Sequence, residues 1–336
     1  MILVLNCGSQ SVKWKLFDKK LNLISQGRKE FFNPDQAKQV LIQELRQLKE
    51  SEIDLVGHRV VHGGKYRSPK LITKPVISEI KKFSKVAPLH NPFELLGISV
   101  AKNVLTKVKH FAVFDTEFFK ELPKKAYTYP LPEKITRSYP FIKRYGFHGI
   151  SHKYLTFKAS QILNLKNPNL ITLHLGGGAS ITAIKKGKPI DTSMGFTPME
   201  GLIMTTRTGD IDPGIIFYLL NQGYSTKKLY HWLNFESGIK GISGISEFKK
   251  LLKSKTQKSK LALNCFVYKI QKYISAYYGV LNGRLDAIVF SGTIGYRSKK
   301  LRNMILNRLS FLKNAKVLVI QTDEEYQIAK EILNLI

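Results

Sequence analysis

The chain has 336 residues, of which 43% are hydrophobic and 11% aromatic, so its composition is globular and its length is sufficient for two domains. It contains no apolar run of 18 or more residues, which excludes a membrane-spanning helix, and the apolar segment 1–5 lacks the basic leader of a signal peptide. The two cysteines, Cys7 and Cys265, cannot form a disulfide framework, so we expect a reducing cytoplasm.

The formal net charge is +30, from 54 Lys and Arg against 24 Asp and Glu. Such a charge occurs in nucleic-acid-binding proteins and in proteins that attract anionic substrates. The lysines are spread along the whole chain, without zinc-finger spacing or an aromatic RNA-binding signature beside them. We therefore expect a solvated, lysine-rich surface suited to polyanionic small molecules, and no specific nucleic-acid partner.

A strand, a small turn and a second strand open the chain. Residues 2–5 are continuously apolar and residues 12–17 alternate between apolar and polar, which predicts one buried and one half-buried strand. Gly8, Ser9 and Ser11 lie at the bend between them, where backbone N–H groups and hydroxyls can contact a phosphate. A hairpin turn whose hydroxyls face water is the alternative.

An amphipathic helix is predicted over 35–48, and a strand over 53–57 follows it. Arg59 comes just beyond this strand, near Gly63 and Gly64. Because a guanidinium matches the fork geometry of carboxylate and phosphate, this position favours contact with a planar anion. A structural salt bridge is the alternative.

Residues 87–94 combine a loop with a predicted helix start. Asn91 is the expected N-cap, with Pro92 at the first helical position and Glu94 at the third. The helix is expected to run to about Val108. The neighbouring His90 is expected to pack or to cap the helix.

An apolar strand over 111–114 ends at Asp115, and residues 120–142, rich in proline and charge, predict a long loop. A carboxylate at the C-terminal edge of a buried strand is a common metal or substrate contact in an open α/β sheet. His148 and His152 stand four apart, as in a zinc pair, but the glutamate of an HExxH motif is missing. Zinc is therefore disfavoured.

The opening pattern returns half a chain length later. Predicted strands over 170–175 and 181–184 flank a Gly/Ser turn at 176–180. Two such units predict a duplicated, two-lobed fold in which each lobe directs one phosphate-contacting turn into a cleft.

The segment 191–214 contains a single cation, Arg207, which is followed by Asp210 and Asp212. Its glycines and prolines exclude a long helix or an ordinary strand. Loops that hold polar groups at fixed positions on a rigid scaffold are typical of binding and catalytic sites. A surface connection is the alternative.

The last third of the chain is predicted to be largely helical, with helices over 213–222, 226–233 and 261–281 and a small-residue loop over 237–244. A strand over 286–290 leads into a third glycine turn at 291–295, before a helix from Ser298. A strand end, a glycine turn and a helix start together favour an anion or a nucleotide. A strand over 316–320 and a helix from Asp323 close the chain.

Together these motifs resemble the acetate kinase family, which includes propionate and butyrate kinases. The resemblance runs in family order from residue 2 to about residue 330. The matching strings lie at 6–11, 57–64, 87–92, 114–116, 144–149 and 174–180, and over nearly all of 191–214.

The resemblance implies an α/β protein with the duplicated, two-lobed sugar kinase/actin-like (ribonuclease H-like) fold and a central nucleotide cleft. The expected lobes are 1–146, joined by the C-terminal helix over 322–336, and 147–321, which binds the nucleotide. The resemblance also implies a homodimer that uses Mg²⁺ or Mn²⁺. Its expected reaction is the reversible transfer of the γ-phosphoryl group of ATP to a short-chain carboxylate, most simply acetate.

The resemblance further implies the catalytic residues. Arg59 and Arg207 are expected to hold the carboxylate and the moving phosphoryl group, and His148 to hydrogen-bond that group. A carboxylate acceptor, with a pKa of about 4–5, is already ionised at pH 7 and needs no general base. Asp115 is therefore expected to be a metal or orientation group.

The remaining implied site residues form three sets. They are the metal-arranging residues Asn6 and Glu324, the acyl pocket of Val61, Leu89, Phe147 and Pro198, and the nucleotide contacts Ser9, Lys13, His174, Gly176, Gly177, Gly178, Gly292 and Gly295.

Three departures from the family pattern lie on the nucleotide side. Gly177 replaces an asparagine, Tyr296 and Arg297 replace Glu-Asn after the third glycine turn, and 246–250 replaces a Ser-Ser-Asp-x-Arg segment. They predict an altered phosphate donor or a weaker affinity for nucleotide. The alternatives to an acetate kinase are a propionate or butyrate kinase, or a nucleotide-binding relative without turnover.

Overall fold

The computed structural model describes residues 1–8, 10–48 and 52–335. Two compact units make up the chain. The first comprises Met1–Lys120, Phe147–Tyr154 and the C-terminal stretch from Asp323, and the second comprises Glu121–Gly146 and Leu155–Thr322. The units and the predicted lobes divide the chain differently over 121–154, and the boundary between lobes at 146/147 stays a prediction.

The first unit is built on a six-stranded sheet with the order β3-β2-β1-β4-β6-β5. β1, β2 and β3 are successive antiparallel neighbours, whereas β4 runs parallel to both β1 and β6. The short β5 pairs antiparallel with the edge of β6. The strands are β1 (Ile2–Cys7), β2 (Ser11–Phe17), β3 (Leu23–Glu30), β4 (Leu55–Val60), β5 (Lys70–Leu71) and β6 (Lys109–Phe114).

The second unit has a five-stranded sheet with the order β11-β10-β7-β8-β9. β7, β8 and β9 form an antiparallel meander, and β10 runs parallel to β7 and to β11. The strands are β7 (Leu170–Leu175), β8 (Ala179–Lys185), β9 (Lys188–Thr192), β10 (Ala287–Ser291) and β11 (Lys316–Val319).

The two sheets therefore repeat one topology, three antiparallel strands followed by two parallel ones, which confirms the predicted duplication. In each sheet a glycine turn joins the first two strands. The N–H of Gly8 donates to the carbonyl of Ser11 at 2.9 Å, and the N–H of Gly176 donates to that of Gly178 at 2.9 Å.

Fourteen α-helices accompany the sheets within the described residues. They are α1 (Pro34–Arg46), α2 (Lys74–Phe83), α3 (Asn91–Val104), α4 (Lys124–Tyr127), α5 (Glu133–Ser138), α6 (Gly149–Leu163), α7 (Pro213–Asn221), α8 (Thr226–His231), α9 (Gly238–Ser243), α10 (Phe248–Lys253), α11 (Gln257–Val280), α12 (Gly292–Arg297), α13 (Lys299–Leu306) and α14 (Glu324–Leu333). None of the helices described is both long and apolar enough to cross a bilayer.

The sheet of the first unit is covered on both faces, because β1 directs alternate side chains to opposite sides. Leu3 and Leu5 pack with α1 and α3, whereas Ile2 and Val4 pack with Ile328 and its neighbours on α14. Gly57 on β4 allows α14 to lie close, since a Cβ at that position would stand 2.6 Å from Cγ2 of Ile328.

Several predicted elements are wrong in detail. The predicted loop over 237–244 contains α9, the expected loop over 120–142 contains α4 and α5, and the third glycine turn is itself the start of α12. α3 begins at Asn91 and has His90 at the N-cap, without a side-chain cap bond. The Asn91 side chain bonds the backbone of other segments instead of capping its own helix.

A buried histidine pair links β4 to β6. The Nε2 of His58 lies 2.9 Å from Nδ1 of His110, and Nε2 of His110 lies 3.0 Å from the carbonyl oxygen of Leu105. Because a carbonyl can only accept, His110 carries its proton on Nε2 and His58 donates to Nδ1. Burial lowers the pKa of His58 well below its ordinary value, and burial likewise lowers the pKa of His110.

We expect this pair to make the protein less stable in mild acid. The unfolded histidines take up protons below about pH 6.5 and the buried pair does not, so the free energy of unfolding falls as the pH decreases. The loss between pH 7.5 and pH 5 should reach up to about 2 kcal/mol for each imidazole.

The measurement is urea unfolding at both pH values. The double variant His58→Leu/His110→Leu should lose this part of the pH dependence. His231→Gln, which changes an exposed histidine beside Glu236, should keep it. An unchanged pH dependence in the double variant would contradict the assignment.

Candidate functional site

Arg59, near the end of β4, lies between two carboxylates. Its Nη2 donates to Oδ2 of Asp115 at 2.7 Å, and its Nη1 lies 3.3 Å from Oε2 of Glu324. Arg59 stands beside Val113 in the parallel β4–β6 pair, which brings Asp115, two residues further on, to the same edge. Glu324 comes from the first turn of α14. The structure thus brings together three of the predicted site residues.

Two polar atoms of this cluster are buried without a hydrogen-bond partner among the described residues, Nε of Arg59 and Oδ1 of Asp115. A buried donor or acceptor that stays unpaired costs about 1–3 kcal/mol. Arg59 therefore makes the salt bridge considered as an alternative and also retains a donor suited to an anion. Asp115 retains an acceptor suited to a cation.

The guanidinium of Arg59 is held in its charged form. Burial opposes the charge, but Asp115 and Glu324 outweigh burial and raise the pKa of Arg59 above its ordinary value. Burial raises the pKa of the Asp115 carboxyl, and Arg59 acts against that rise. Two carboxylates and one guanidinium give the cluster a net negative formal charge, which suits a divalent cation.

Asn6, at the end of β1, is positioned by a residue that the sequence analysis missed. Its Nδ2 donates to Oε1 of Glu325 at 3.1 Å, which leaves its carbonyl oxygen as the acceptor. Lys15 lies 2.8 Å from Oδ2 of Asp323 and 4.0 Å from Oε2 of Glu325. Lys15 and Lys13 are two apart on β2, so their side chains lie on the same face of the strand. This spacing from the predicted contact Lys13 was the sequence signal that could have identified Lys15.

The oxygen donors of Asn6, Asp115 and Glu324 fit Mg²⁺ in kind. Mg²⁺ is usually bound through one or two carboxylates together with substrate phosphates and water. Within the described ranges no group of three or more His, Cys, Asp and Glu side chains is arranged to hold a metal ion by itself. The chemistry of the donors and the unpaired Oδ1 of Asp115 therefore suit an ion shared with a substrate phosphate.

His148 precedes α6 with a backbone φ of 56°, which is unusual for a residue other than glycine. The next residue, Gly149, donates its N–H to the carbonyl oxygen of Asp115 at 3.0 Å, and a Cβ there would lie 2.0 Å from that oxygen. The start of α6 is thus pressed against the end of β6, which places His148 beside Asp115. Strained backbone of this kind is found disproportionately at functional sites.

Three of the four predicted acyl-pocket residues lie in the first unit. Val61 and Phe147 are buried, and the ring of His62 lies 5.6 Å from that of Phe147 and stacks on Phe83 at 4.5 Å. Leu89 is half-buried just before α3. Pro198, the fourth, belongs to the second unit.

In the second unit, Arg207 contacts the predicted pocket residue Pro198. Its Nη1 donates to the Pro198 carbonyl at 3.2 Å and lies 3.9 Å from Sδ of Met204. Burial lowers the pKa of Arg207, and the neighbouring Tyr230 acts in the opposite direction. A half-buried guanidinium interacts more strongly with an anion than an exposed one does, because less water screens it.

The loop that carries Arg207 is fixed at its start by Arg144, whose role sequence reasoning missed. Nη1 of Arg144 donates to the carbonyl oxygens of residues 192, 193 and 194 at 3.1, 3.2 and 3.2 Å. Its Nη2 pairs with Glu200, which also accepts from the hydroxyl of Tyr129. Gly195 has no room for a side chain, because a Cβ would overlap the Glu200 carboxylate.

The same loop is fixed further along by Asp210. Its Oδ1 accepts from the N–H of Gly201 at 2.8 Å, and its Oδ2 accepts from the hydroxyl of Tyr273 at 2.9 Å. Lys269 lies 2.9 Å from the same carboxylate oxygen. The segment 191–214 is therefore held at both ends, as the functional interpretation of the sequence requires.

The predicted nucleotide contacts of the second unit lie at one edge of its sheet. β7 and β10 are parallel, with Ser291 opposite His174, so the turn 176–178 and the segment from Gly292 follow neighbouring strand ends. Gly292 has a φ of 75°, and a Cβ there would lie 2.5 Å from the Leu175 carbonyl oxygen. The Thr205 N–H and hydroxyl donate to the Gly177 carbonyl at 3.2 and 3.0 Å.

The two other predicted nucleotide contacts belong to the opening hairpin. Lys13 lies on β2 opposite Asn6 and is exposed. Ser9 lies outside the described residues.

The sequence profile of the Acetokinase family matches residues 29–330. An acetate kinase of Thermoanaerobacterium thermosaccharolyticum is 40% identical over 391 aligned positions, which span 98% of this chain and 97% of the relative. Because 391 positions exceed the 336 residues of the chain, the alignment contains gaps in this sequence.

Two crystal structures are similar over nearly the whole chain. A propionate kinase from Francisella tularensis has 34% identity and a TM-score of 0.90, covering 98% of both chains. An acetate kinase from Porphyromonas gingivalis has 33% identity and a TM-score of 0.88, covering 99% of both. These structures and the repeated sheet topology confirm the predicted two-lobed, sugar kinase/actin-like fold class, and the chain belongs to the acetokinase family.

Proposed function

We propose that this chain transfers the γ-phosphoryl group of ATP to acetate and forms acetyl phosphate and ADP, reversibly. The observation that carries the proposal is the half-buried Arg59 between Asp115 and Glu324. Arg59 keeps one buried donor, Nε, that suits an anion, and Asp115 keeps one buried acceptor, Oδ1, that suits a cation. Membership of the acetokinase family supports the reaction class.

In this reaction a carboxylate oxygen attacks the γ-phosphorus in line, and the bond from that phosphorus to the bridging oxygen of ADP breaks. The acceptor has a pKa of about 4–5 and is ionised at pH 7, so no proton has to be removed. Catalysis then rests on positioning and charge neutralisation, with little covalent help from the protein.

We assign roles on this basis. Arg59 binds the carboxylate, Arg207 neutralises charge on the moving phosphoryl group, and His148 donates a hydrogen bond to that group. We assign Val61, Leu89, Phe147 and Pro198 to contacts with the acyl methyl. Because the acceptor is already ionised, Asp115 orients Arg59 and the metal and does not act as a base.

We further assign Mg²⁺ to the side-chain oxygens of Asn6, Asp115 and Glu324, with Mn²⁺ as a substitute. When bound, such an ion neutralises charge on the donor phosphates. Glu325 accepts from the Asn6 amide nitrogen, so the amide oxygen is the atom that we assign to the metal. Chelation with EDTA should abolish turnover, and added Mg²⁺ should restore it.

The acyl pocket distinguishes acids by their chain length. One methylene changes binding by only about 1–3 kcal/mol, and one similar structure is a propionate kinase. A hydroxamate assay with acetate, propionate and butyrate distinguishes the acceptors. Repeating it with ATP, GTP and pyrophosphate tests whether the changed residues Gly177, Tyr296 and Arg297 alter the donor.

We infer a homodimer that buries α7. This helix, Pro213–Asn221, has no charged residue and no buried one, and Ile215, Phe217 and Tyr218 are 45%, 65% and 63% exposed. Two copies of a chain with a formal charge of +30 repel each other, which favours contact through an uncharged face. A twofold dimer pairs such a face with itself.

A location in the cytoplasm also remains a prediction.

Replacing Arg207 should remove most of the activity. We expect Arg207→Ala to lower kcat by about 10²- to 10⁴-fold, the loss seen when a charge-stabilising donor is removed from a transition state. The matched control is Arg137→Ala, which removes an exposed guanidinium that pairs only with Glu133 in the part of the chain described. Near-native synthesis of acyl phosphate by Arg207→Ala would exclude the assigned role.

Replacing Gly292 should damage nucleotide binding. Gly292→Ala forces a side chain onto a backbone with φ of 75° and against the Leu175 carbonyl, so the KM for ATP should rise at least tenfold. The control is Gly279→Ala in α11, where a Cβ meets nothing within 4 Å. It should leave the KM unchanged and the melting temperature equal or higher. Equal ATP kinetics for both variants would contradict the prediction.

A charge on α7 should separate the dimer. Phe217→Glu places a carboxylate in the proposed contact, so light scattering should shift from twice the chain mass toward the 38.3 kDa of one chain. Phe32→Glu, at a residue that is 93% exposed in the first unit, serves as the control and should keep the larger mass. A wild-type protein of single-chain mass would overturn the dimer.

A further inference from the structure

Two side chains in the first turn of α3 form hydrogen bonds with the backbone of Val61 and His62, shortly after Arg59. Oε2 of Glu94 accepts from the N–H of Val61 at 3.0 Å. Asn91 accepts from the N–H of His62 through Oδ1 at 3.1 Å and donates to the His62 carbonyl through Nδ2 at 3.1 Å. Two side chains, three residues apart on one helix, thus bind three successive peptide units, from 60–61 to 62–63.

Neither Asn91 nor Glu94 caps the helix that carries it. In a capping box the glutamate bonds the backbone N–H at the helix start. The N–H of Asn91 instead donates to the Ala87 carbonyl at 3.1 Å, and the N–H of Glu94 donates to the His90 carbonyl at 3.2 Å. Both side chains are therefore available for the segment after β4.

Glu94 is deeply buried, at 4% exposure, where a glutamate is seldom found without a defined role. Its carboxyl is close enough to Arg59 and Asp115 for their charges to affect one another. Burial raises the pKa of Glu94 to about 8, and Asp115 adds to the rise, while the Val61 N–H and Arg59 oppose it.

Resting on the function proposed above, we infer that Glu94 is a positioning residue for the carboxylate subsite and acts through the Val61 peptide. Arg59 and Val61 flank a single residue, Val60, so the direction of the Val61 peptide helps to set where the guanidinium and the Val61 side chain meet a substrate. Asn91 fixes the next two peptide units through the N–H and the carbonyl of His62, and Glu94 supplies the bond to the Val61 N–H.

Removal of the acceptor would leave the buried N–H of Val61 without a partner. A buried donor in that position is relieved when its peptide turns toward another acceptor or toward water. Such a turn shifts Val61 relative to Arg59 and does not affect the glycine turns 176–178 and 292–295. The effect should therefore appear in binding of the carboxylate and not in binding of ATP.

The test compares Glu94→Leu, which deletes the acceptor, with Glu94→Gln, which keeps it. Glu94→Leu should raise the KM for acetate about 10- to 100-fold, with kcat changed by less than about threefold and the KM for ATP unchanged. Glu94→Gln should return the KM for acetate to within about threefold of wild type. A role in stability alone would lower the melting temperature without this split.

The matched control is Glu79→Leu. Oε1 of Glu79 also accepts a backbone N–H, that of Lys65 at 3.0 Å, but from α2 and four positions further from Arg59. This variant should keep the wild-type KM for acetate. If Glu94→Leu does not fold, Glu94→Asp replaces it, because the shorter side chain withdraws the acceptor and should also raise that KM.

These measurements distinguish a failure of the proposed function from a failure of the positioning role of Glu94. A wild-type protein that forms no acyl phosphate overturns the proposed function. An active wild type, an inactive Arg59→Ala and a native KM for acetate in Glu94→Leu overturn the positioning role alone. The same holds if Glu94→Gln raises the KM as much as the leucine variant.

Discussion

The cluster of Arg59 with Asp115 and Glu324 is the interaction on which the first unit depends for its chemistry. The Arg59 guanidinium is half-buried here because two carboxylates at 2.7 and 3.3 Å offset the loss of its hydration. The three residues come from β4, from the end of β6 and from α14. Their meeting requires that α14 lie close on β4, and Gly57 permits this, since any Cβ there would meet Ile328 at 2.6 Å. A glycine in the middle of a strand is thus a condition of the site.

Much of the fold was predictable because the relevant signals are local. The apolar strand, glycine turn and alternating strand occur twice in the sequence, and both units place them in the same order within a sheet. The structure places Arg59 between Asp115 and Glu324, and Asn6 bonds Glu325, while the catalytic roles of these residues stay predictions. Arg59 and Asn6 each stand one residue before the end of a strand, Asp115 follows a strand and Glu324 begins a helix. Parallel strands bring such ends to one edge of a sheet.

The errors have a common physical cause in contacts between distant parts of the chain. Asn91 looks like an N-cap in isolation, but its amide bonds the backbone near His62, 29 positions earlier. The small residues of 237–244 suggested a loop, yet α9 forms there because α11 packs against it. Glu325 bonds Asn6 across 319 positions of the sequence, and Lys15 bonds Asp323 across 308. A local sequence pattern cannot predict contacts over such separations.

The arrangement of the first unit also has a consequence for biosynthesis. Its sheet is assembled from residues in the first third of the chain, but one face is covered by Ile328, Ala329 and Ile332 of the last helix. A ribosome makes the whole second unit before it makes that helix. During this interval the apolar side chains Ile2, Val4 and Leu55 lack their cover, and Arg59 has met only one of its two carboxylates. The nascent first unit is therefore a natural client for chaperones, and catalytic competence comes only after synthesis of the final helix.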